Sequence, residues 1–316
     1  MTNGAESRAP VLLVLRALGL GDLLTAVPAL RALGRAYPAH RLLLATSPWL
    51  AALVRYLPEV EELLPSQPLA PLPPWTPQPD VAVNLHGSGP ESHRILATTE
   101  PRRMLAFRNE QVPFEHGPTW IDGEHEVRRW CRLVESFGVP ADPTDLLLHS
   151  AIPRARTPGL TVVHLGAARA ARRWPADRWA EVARAERAAG HRVVLTGTAE
   201  DVATARQVAQ EAGLPARSVK TGRTDLRTLI RMVASAERLL STDTGVAHLA
   251  TAVATPSVVL FGPEPPSRWG PIADTERHLA LWAGRTGDPQ TERPDPGLLA
   301  IEPAQVVAAV RRLPPR

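Results

Sequence analysis

The sequence predicts an α/β protein built from two doubly wound, parallel-sheet domains. Three observations lead there. Short continuous apolar runs, such as Val11 to Leu15 and Ser257 to Phe261, alternate with stretches of helical spacing. The alternation runs through the first half of the chain, breaks, and restarts at Thr161. A length of 316 residues exceeds one comfortable core and suits two domains of about 150 residues each.

Taken in order, Val11 to Leu15 reads as a strand buried on both faces. The glycine turn Gly19 to Gly21 follows, then a helix from Asp22 to about Ala36 in which Pro28 forces an early kink. Strands are expected at Arg41 to Ala45, Val81 to Leu85 and Met104 to Phe107. Between them, Pro65 to Pro79 carries seven prolines, too many for regular structure, and reads as a stiff surface loop. Glu124 to Phe137 is a helix stopped by Gly138 and Pro140. Ser150 to Gly159 reads as the interdomain linker, which divides the chain into residues 1–152 and 153–316. The second round has strands at Thr161 to His164, Arg192 to Thr196, Arg238 to Leu240 and Ser257 to Phe261. Its helices cover Asp177 to Ala189, Ala199 to Ala212 before Gly213, Thr224 to Ala236, and a segment through Val246 and Leu249. The tail from Glu302 to Arg312 is a last helix, one that could pack back on the first domain.

Composition removes several function classes. At 44% hydrophobic and 22% charged, the chain has the balance of a soluble globular protein. The net charge is only +4, with basic residues spread along the chain and no block of like charges, which argues against a nucleic-acid groove. An anionic small molecule or a membrane surface stays open. The bias toward Ala, Arg and Pro reflects a GC-rich genome rather than function. A single cysteine, Cys131, rules out an internal disulfide and suits a reducing cytoplasm. The first ten residues are polar, so no signal sequence is expected. The weakly polar run Gly245 to Gly262 is broken by His248 and Pro256, so no transmembrane segment is expected either.

Five segments could carry chemistry. In Ser241 to Ala252, Asp243, Thr244 and Gly245 fall at a strand-to-helix junction, and His248 lies one turn on. Unpaired N–H groups and the helix dipole favour an anion there, so the segment reads either as a diphosphate cradle or as a plain helix cap. The turn before Asp22 resembles a dinucleotide fingerprint, but Leu24 stands where the third glycine belongs. Asp22 can accept a proton from a bound hydroxyl, or it only caps its helix. His164 to Trp179 supplies Arg169, Arg172 and Arg173 as cationic forks for phosphate, or forms a solvated basic loop. Glu200 or Asp201, after a strand end, could hold ribose hydroxyls or serve the helix start. His86, Ser92, His93 and Arg94 follow the third strand on the expected side of Asp22 and Gly21, where they could contact an acceptor or only shape a glycine-rich turn. There is no Walker pattern, nucleophile elbow, zinc-type His/Cys spacing or Asp-x-Asp pair, so neither a metal nor a cofactor is expected. Charge on a leaving diphosphate must then be met by arginine and helix ends.

The glycine turn ending in Asp22, the Arg172-Arg173-Trp174-Pro175 segment, and Ser241-Thr-Asp-Thr-Gly-Val-Ala-His248 followed by Thr255 to Pro263 occur in that order. This combination resembles glycosyltransferase family nine, the ADP-heptose:lipopolysaccharide heptosyltransferase group, from about Val11 to Gly270. The resemblance implies a GT-B fold, two Rossmann-like domains facing across a cleft, with an acceptor-side first domain and a nucleotide-sugar-binding second domain. It implies an inverting, metal-independent, cytoplasmic glycosyltransferase, with peripheral contact at the inner membrane face open to it. The donor would be a nucleotide diphosphate sugar, ADP-heptose-like. The acceptor could be a glycolipid, a glycan or a small-molecule aglycone. Asp22 would be the general base. Asp243, Thr244, Gly245 and His248 would hold the donor diphosphate, and the ribose acid would fall at Glu200 or Asp201. Arg172 stands where the family carries a lysine, keeping the charge but replacing a compact ammonium with a planar fork. Two other readings use the same donor site: a sugar-nucleotide epimerase of GT-B-like fold, and a non-catalytic nucleotide-sugar binder.

Overall fold

The computed structural model describes residues 9–73, 78–148, 152 and 156–315. It comprises two compact units, one ending at Asp145 and one starting at Leu146. The division falls ahead of the break expected after residue 152, because Leu148 already bonds within the second unit, its N–H donating to the Ala252 carbonyl at 2.7 Å. Most of the first part of the predicted linker lies outside the described residues, as do residues 74–77 of the proline-rich loop.

The first unit contains β1 (Val11–Leu15), α1 (Leu20–Thr25), α2 (Val27–Ala36), β2 (Arg41–Thr46), α3 (Ala51–Val54), β3 (Glu62–Pro65), β4 (Val81–Asn84), α4 (Pro90–Ala97), β5 (Arg103–Leu105) and α5 (Glu126–Glu135). Its sheet is parallel in the order β3-β2-β1-β4-β5. All five residues of the central strand β1 are buried, as a strand covered on both faces requires. The single helix expected from Asp22 to Ala36 is two helices broken at Ala26. Pro28 sits in the first turn of α2, where a missing N–H costs no hydrogen bond. The strand β3 was not predicted, since it is short, at the sheet edge, and ends on the first proline of the proline-rich stretch. The segment Asn84 to Arg94, read as acceptor contacts or a glycine-rich turn, runs into a helix. Gly89 and Pro90 start α4 there. Helix α5 buries Val127, Trp130, Leu133 and Val134 and packs on α2.

The second unit contains β6 (Leu160–His164), α6 (Ala176–Ala188), β7 (Arg192–Thr196), α7 (Val202–Glu211), α8 (Leu226–Ser235), β8 (Arg238–Thr242), α9 (Gly245–Ala252), β9 (Ser257–Phe261), α10 (Pro266–Trp269), β10 (His278–Trp282), α11 (Pro296–Leu299) and α12 (Pro303–Arg312). Its sheet is parallel in the order β10-β9-β8-β6-β7. The unpredicted β10 is again an edge strand, one in which half-buried and exposed positions alternate after the buried His278. The terminal helix α12 packs on α6 and β9, with Val306, Ala309 and Val310 in the core of the second unit. Trp174 and Trp179 meet edge to face in that core, 4.8 Å between ring centres. Each unit is thus a Rossmann-like α/β domain. Among the described residues, no helix is long and apolar enough to cross a membrane.

Candidate functional site

In open parallel sheets, ligands gather at the carboxyl ends of the strands where the strand order reverses. The first sheet reverses between β1 and β4, and the second between β6 and β8. The residues singled out from the sequence cluster at those two ends.

In the first unit, Asp22 is the third residue of α1, and its Oδ2 accepts the Gly19 N–H at 3.0 Å. A Cβ on Gly19 would come within 3.0 Å of that oxygen, so the close approach favours glycine. Asp22 therefore does cap its helix, as the plainer reading held. Its side chain is still 31% exposed, which leaves carboxylate surface for chemistry. Beneath it lies Arg16, 1% exposed. Its Nε donates to the Asp22 carbonyl at 2.9 Å, Nη1 to the Leu85 carbonyl at 2.5 Å, and Nη2 to Glu126 Oε1 at 3.0 Å. The guanidinium also stacks over Trp130, 4.4 Å from the ring centre. Burial by itself would raise the Glu126 carboxyl, but the charges of Arg16 and Arg129 outweigh it and hold the group below its ordinary range. Sequence reasoning missed Arg16 and Glu126. The available signal was an acidic residue on the apolar face of a helix, one turn from Trp130.

The acceptor-side candidates separate. Ser92 and His93 are buried and occupied: Ser92 Oγ accepts from Asn84 Nδ2 at 2.9 Å, and the His93 ring lies 2.9 Å from the Gly89 carbonyl and 2.8 Å from that of Phe107. They brace α4 against the sheet and are not available to an acceptor. Arg94 is exposed, its guanidinium 3.4 Å from the Gln111 carbonyl. Gly21 contributes half-buried backbone inside α1. His86 is the different one. Its backbone N–H donates to Asn84 Oδ1 at 3.0 Å, while its ring Nδ1 is buried without a partner. Burial, helped by the positive charge of Arg16, pushes the imidazole down to about 4, so it is neutral near pH 7.

In the second unit, β8 runs into α9 through Asp243 and Thr244. Thr244 is the N-cap residue in extended conformation, yet its hydroxyl makes no capping bond. Four buried oxygens cluster here without partners: Ser241 Oγ, Thr242 Oγ1, Asp243 Oδ2 and Thr244 Oγ1. Arg172, on a short turn after β6, adds a fifth orphan, its Nε. Its Nη1 stands 3.4 Å from Asp243 Oδ2, an ion pair too long for a good hydrogen bond. Each orphan would cost about 1–3 kcal/mol if it stayed unpaired. Polar groups that bind there would relieve that cost, so the site is suited to a polar ligand. Burial pushes Asp243 up to about 6, against the opposing charge of Arg172 and with help from Glu264. His248 is held edge to face against Trp269, ring centres 5.9 Å apart.

The paired acids after β7 have different fates. Asp201 is 1% exposed and both its oxygens are occupied. Oδ2 accepts the N–H and hydroxyl of Thr198, each at 2.8 Å, and Oδ1 accepts Arg173 Nη1 at 2.8 Å. It is wedged against Gly166 and Gly197, where a Cβ would lie 2.9 Å from Oδ2. Asp201 thus holds the loops together, and only Glu200, 85% exposed, is left to reach a ligand. A cavity of about 800 Å³ in this unit is not lined by Arg172, Asp243, Thr244 or His248. Among the described residues, no group of three His, Cys, Asp or Glu side chains is placed to hold a metal ion.

A family model described as glycosyltransferase family 9 (heptosyltransferase) matches residues 106–296. Lipopolysaccharide heptosyltransferase 2 of Escherichia coli (strain K12) is 30% identical over 153 residues, covering 45% of this chain and 43% of that protein. The chain therefore aligns with less than half the length of this curated relative. Two solved structures share the fold over nearly the whole chain. E. coli ADP-heptose lps heptosyltransferase II superposes with a TM-score of 0.76 at 19% identity, covering 95% of this chain and 97% of the other. A glycosyl transferase family 9 protein from Veillonella parvula superposes with a TM-score of 0.78 at 21% identity, covering 96% of each.

Proposed function

Because the chain belongs to glycosyltransferase family 9, we propose that it moves a heptose-like sugar from a nucleotide diphosphate donor to an acceptor nucleophile, inverting the anomeric centre without a metal. The observation that carries this reading is the cluster of orphaned polar atoms at the start of α9 beside Arg172. The Thr244 hydroxyl, one hydroxyl from the end of β8, the free N–H groups of the helix end and one guanidinium can together satisfy a diphosphate.

The mechanism follows from the two strand ends. Asp22, on the acceptor-side unit, takes the proton from the acceptor hydroxyl. The oxygen attacks the anomeric carbon, the bond from that carbon to the diphosphate oxygen breaks, and its electron pair leaves on the diphosphate. Arg172 and the α9 helix end meet the growing negative charge, the work that a metal does in other transferases. Glu200 accepts a ribose hydroxyl in this reading, which its exposure supports. The heptose and adenine assignments are supported by kinship with the E. coli heptosyltransferases, and so is a glycolipid acceptor. Work at the cytoplasmic face of a membrane fits such an acceptor.

Thermal shift with ADP, GDP, UDP and TDP tests the donor class, since preferential binding raises the midpoint by mass action. ADP should give the largest shift, and a larger one with UDP or GDP would end the adenine assignment. Incubation with ADP-heptose should release ADP only when an acceptor is present. An altered sugar with no ADP released would instead mark an epimerase, and no turnover with any acceptor class would mark a binder.

A further inference from the structure

The 800 Å³ cavity lies beside the edge strand β7, between α8 and residues 214–220. Leu160 and Arg192, the first residues of β6 and β7, line it, so it opens at the amino ends of the strands. The diphosphate cluster sits at the opposite, carboxyl ends. The floor is apolar, from Leu160, Val194 and Met232. The rim is cationic: Arg187, Arg192, Arg217, Lys220 and Arg231 all reach it, and no Asp or Glu lines it.

These five side chains are exposed and come from α6, β7, α8 and the loop before Thr221. None of them is ion-paired to a carboxylate among the described residues. Arg187 reaches only the Ala212 carbonyl, at 3.5 Å. Asp225 feels the charge of Arg231, but it is committed to capping α8, accepting the Thr228 N–H at 2.8 Å. Half-buried arginines elsewhere in this unit do find acids, as Arg268 does with Glu264 and Arg277 with Asp274. Five uncompensated cations around one apolar hollow repel one another, and an anionic partner relieves that repulsion.

We propose that this face docks the protein on an anionic lipid surface, with a phosphate headgroup inside the cationic rim and its glycerol portion on the apolar floor. The spread of the cations over four segments suits a layer of headgroups better than one small anion. The surface is separate from the donor cluster, so docking stands whatever sugar is transferred. Each cation near such a leaflet contributes about fivefold in affinity.

Co-sedimentation of the full chain with vesicles tests the assignment. Binding is expected to phosphatidylcholine vesicles containing phosphatidylglycerol, and not to phosphatidylcholine alone. It should weaken steeply with salt. The triple variant Arg217→Gln, Lys220→Gln, Arg231→Gln should lose about 100-fold in vesicle affinity, and the charge-reversed triple glutamate variant should lose a larger factor. Both should keep the wild-type circular dichroism spectrum and the wild-type thermal shift with ADP. Docking is overturned if wild type ignores the anionic vesicles or if both variants bind them as well as wild type does. It is equally overturned if inorganic phosphate protects this face from deuterium exchange while anionic vesicles do not, since the hollow would then serve a small soluble anion.

Discussion

Asp22 combines a capping bond to Gly19 with an exposed carboxylate edge, so capping and proton transfer are separable by substitution. Asp22→Asn keeps an oxygen for the Gly19 N–H but cannot take a proton. Turnover should fall about 10²–10⁴-fold while ADP affinity stays near wild type. Turnover close to wild type in the purified variant would reduce Asp22 to a cap. Arg172→Ala should weaken ADP binding about ten- to hundred-fold, the range for a charged hydrogen bond, and titration calorimetry would detect it. Asp243 gives a pH signature. Its carboxyl is displaced from its ordinary 3.8 to about 6, so between those values the folded state keeps a proton that the unfolded chain has released. Stability should therefore fall as pH rises through that window, by up to about 3 kcal/mol, and Asp243→Asn should remove that dependence. Parallel pH–stability curves for variant and wild type would refute the displacement. At this scale the sequence carried the Asp243 to His248 cluster because its residues are contiguous. It could not tell Glu200 from Asp201, since what buries Asp201 is a hydrogen bond from Arg173, 28 positions away in the chain.

The elements that could be read from sequence are the ones whose burial is uniform. β1, β7 and β9 were bounded correctly because each carries a plain run of buried apolar residues, β7 even at the sheet edge. β3 was not, because exposed Glu62 and Pro65 bracket its two leucines, and β10 was not, because it opens on a buried histidine and carries its exposed positions at Ala280 and Trp282. The break between α1 and α2 hinged on one residue, Ala26, where proline statistics predicted only a kink. The least legible connection is between β1 and α5, made by Arg16 and Glu126 with side chains 1% and 7% exposed. Removing one partner of a buried pair strands the other charge and typically costs about 3–5 kcal/mol. Glu126→Ala should lower the urea midpoint of the first unit accordingly, with Trp130 fluorescence reporting its loss of partner. An unchanged midpoint would mean that Arg129 or solvent compensates.

At the level of the whole molecule, each unit carries its own apolar core, so ligand stabilisation should be local. Hydrogen exchange with saturating ADP should slow in second-unit segments around Ser241 to Ala252 and leave β1 and β4 unchanged. Protection confined to the first unit would place the donor there instead. Transfer should also survive excess EDTA, and a collapse reversed by magnesium or manganese would overturn the metal-free mechanism. The Arg16 to Glu126 connection bears on the protein's synthesis as well. The two residues lie 110 positions apart, yet the guanidinium is sealed inside the sheet end that β1 forms. As the chain leaves the ribosome, β1, β2 and β4 emerge well before α5, and until then Arg16 has only the half-exposed Asp22, 3.6 Å away, and lacks its buried, hydrogen-bonded partner Glu126. The first unit can therefore collapse early but cannot close around its arginine until α5 arrives, so its final consolidation waits for almost the entire unit to be translated. Nascent chains arrested just short of Glu126 should remain protease-sensitive, and those arrested once α5 is clear of the exit tunnel should become resistant in one step.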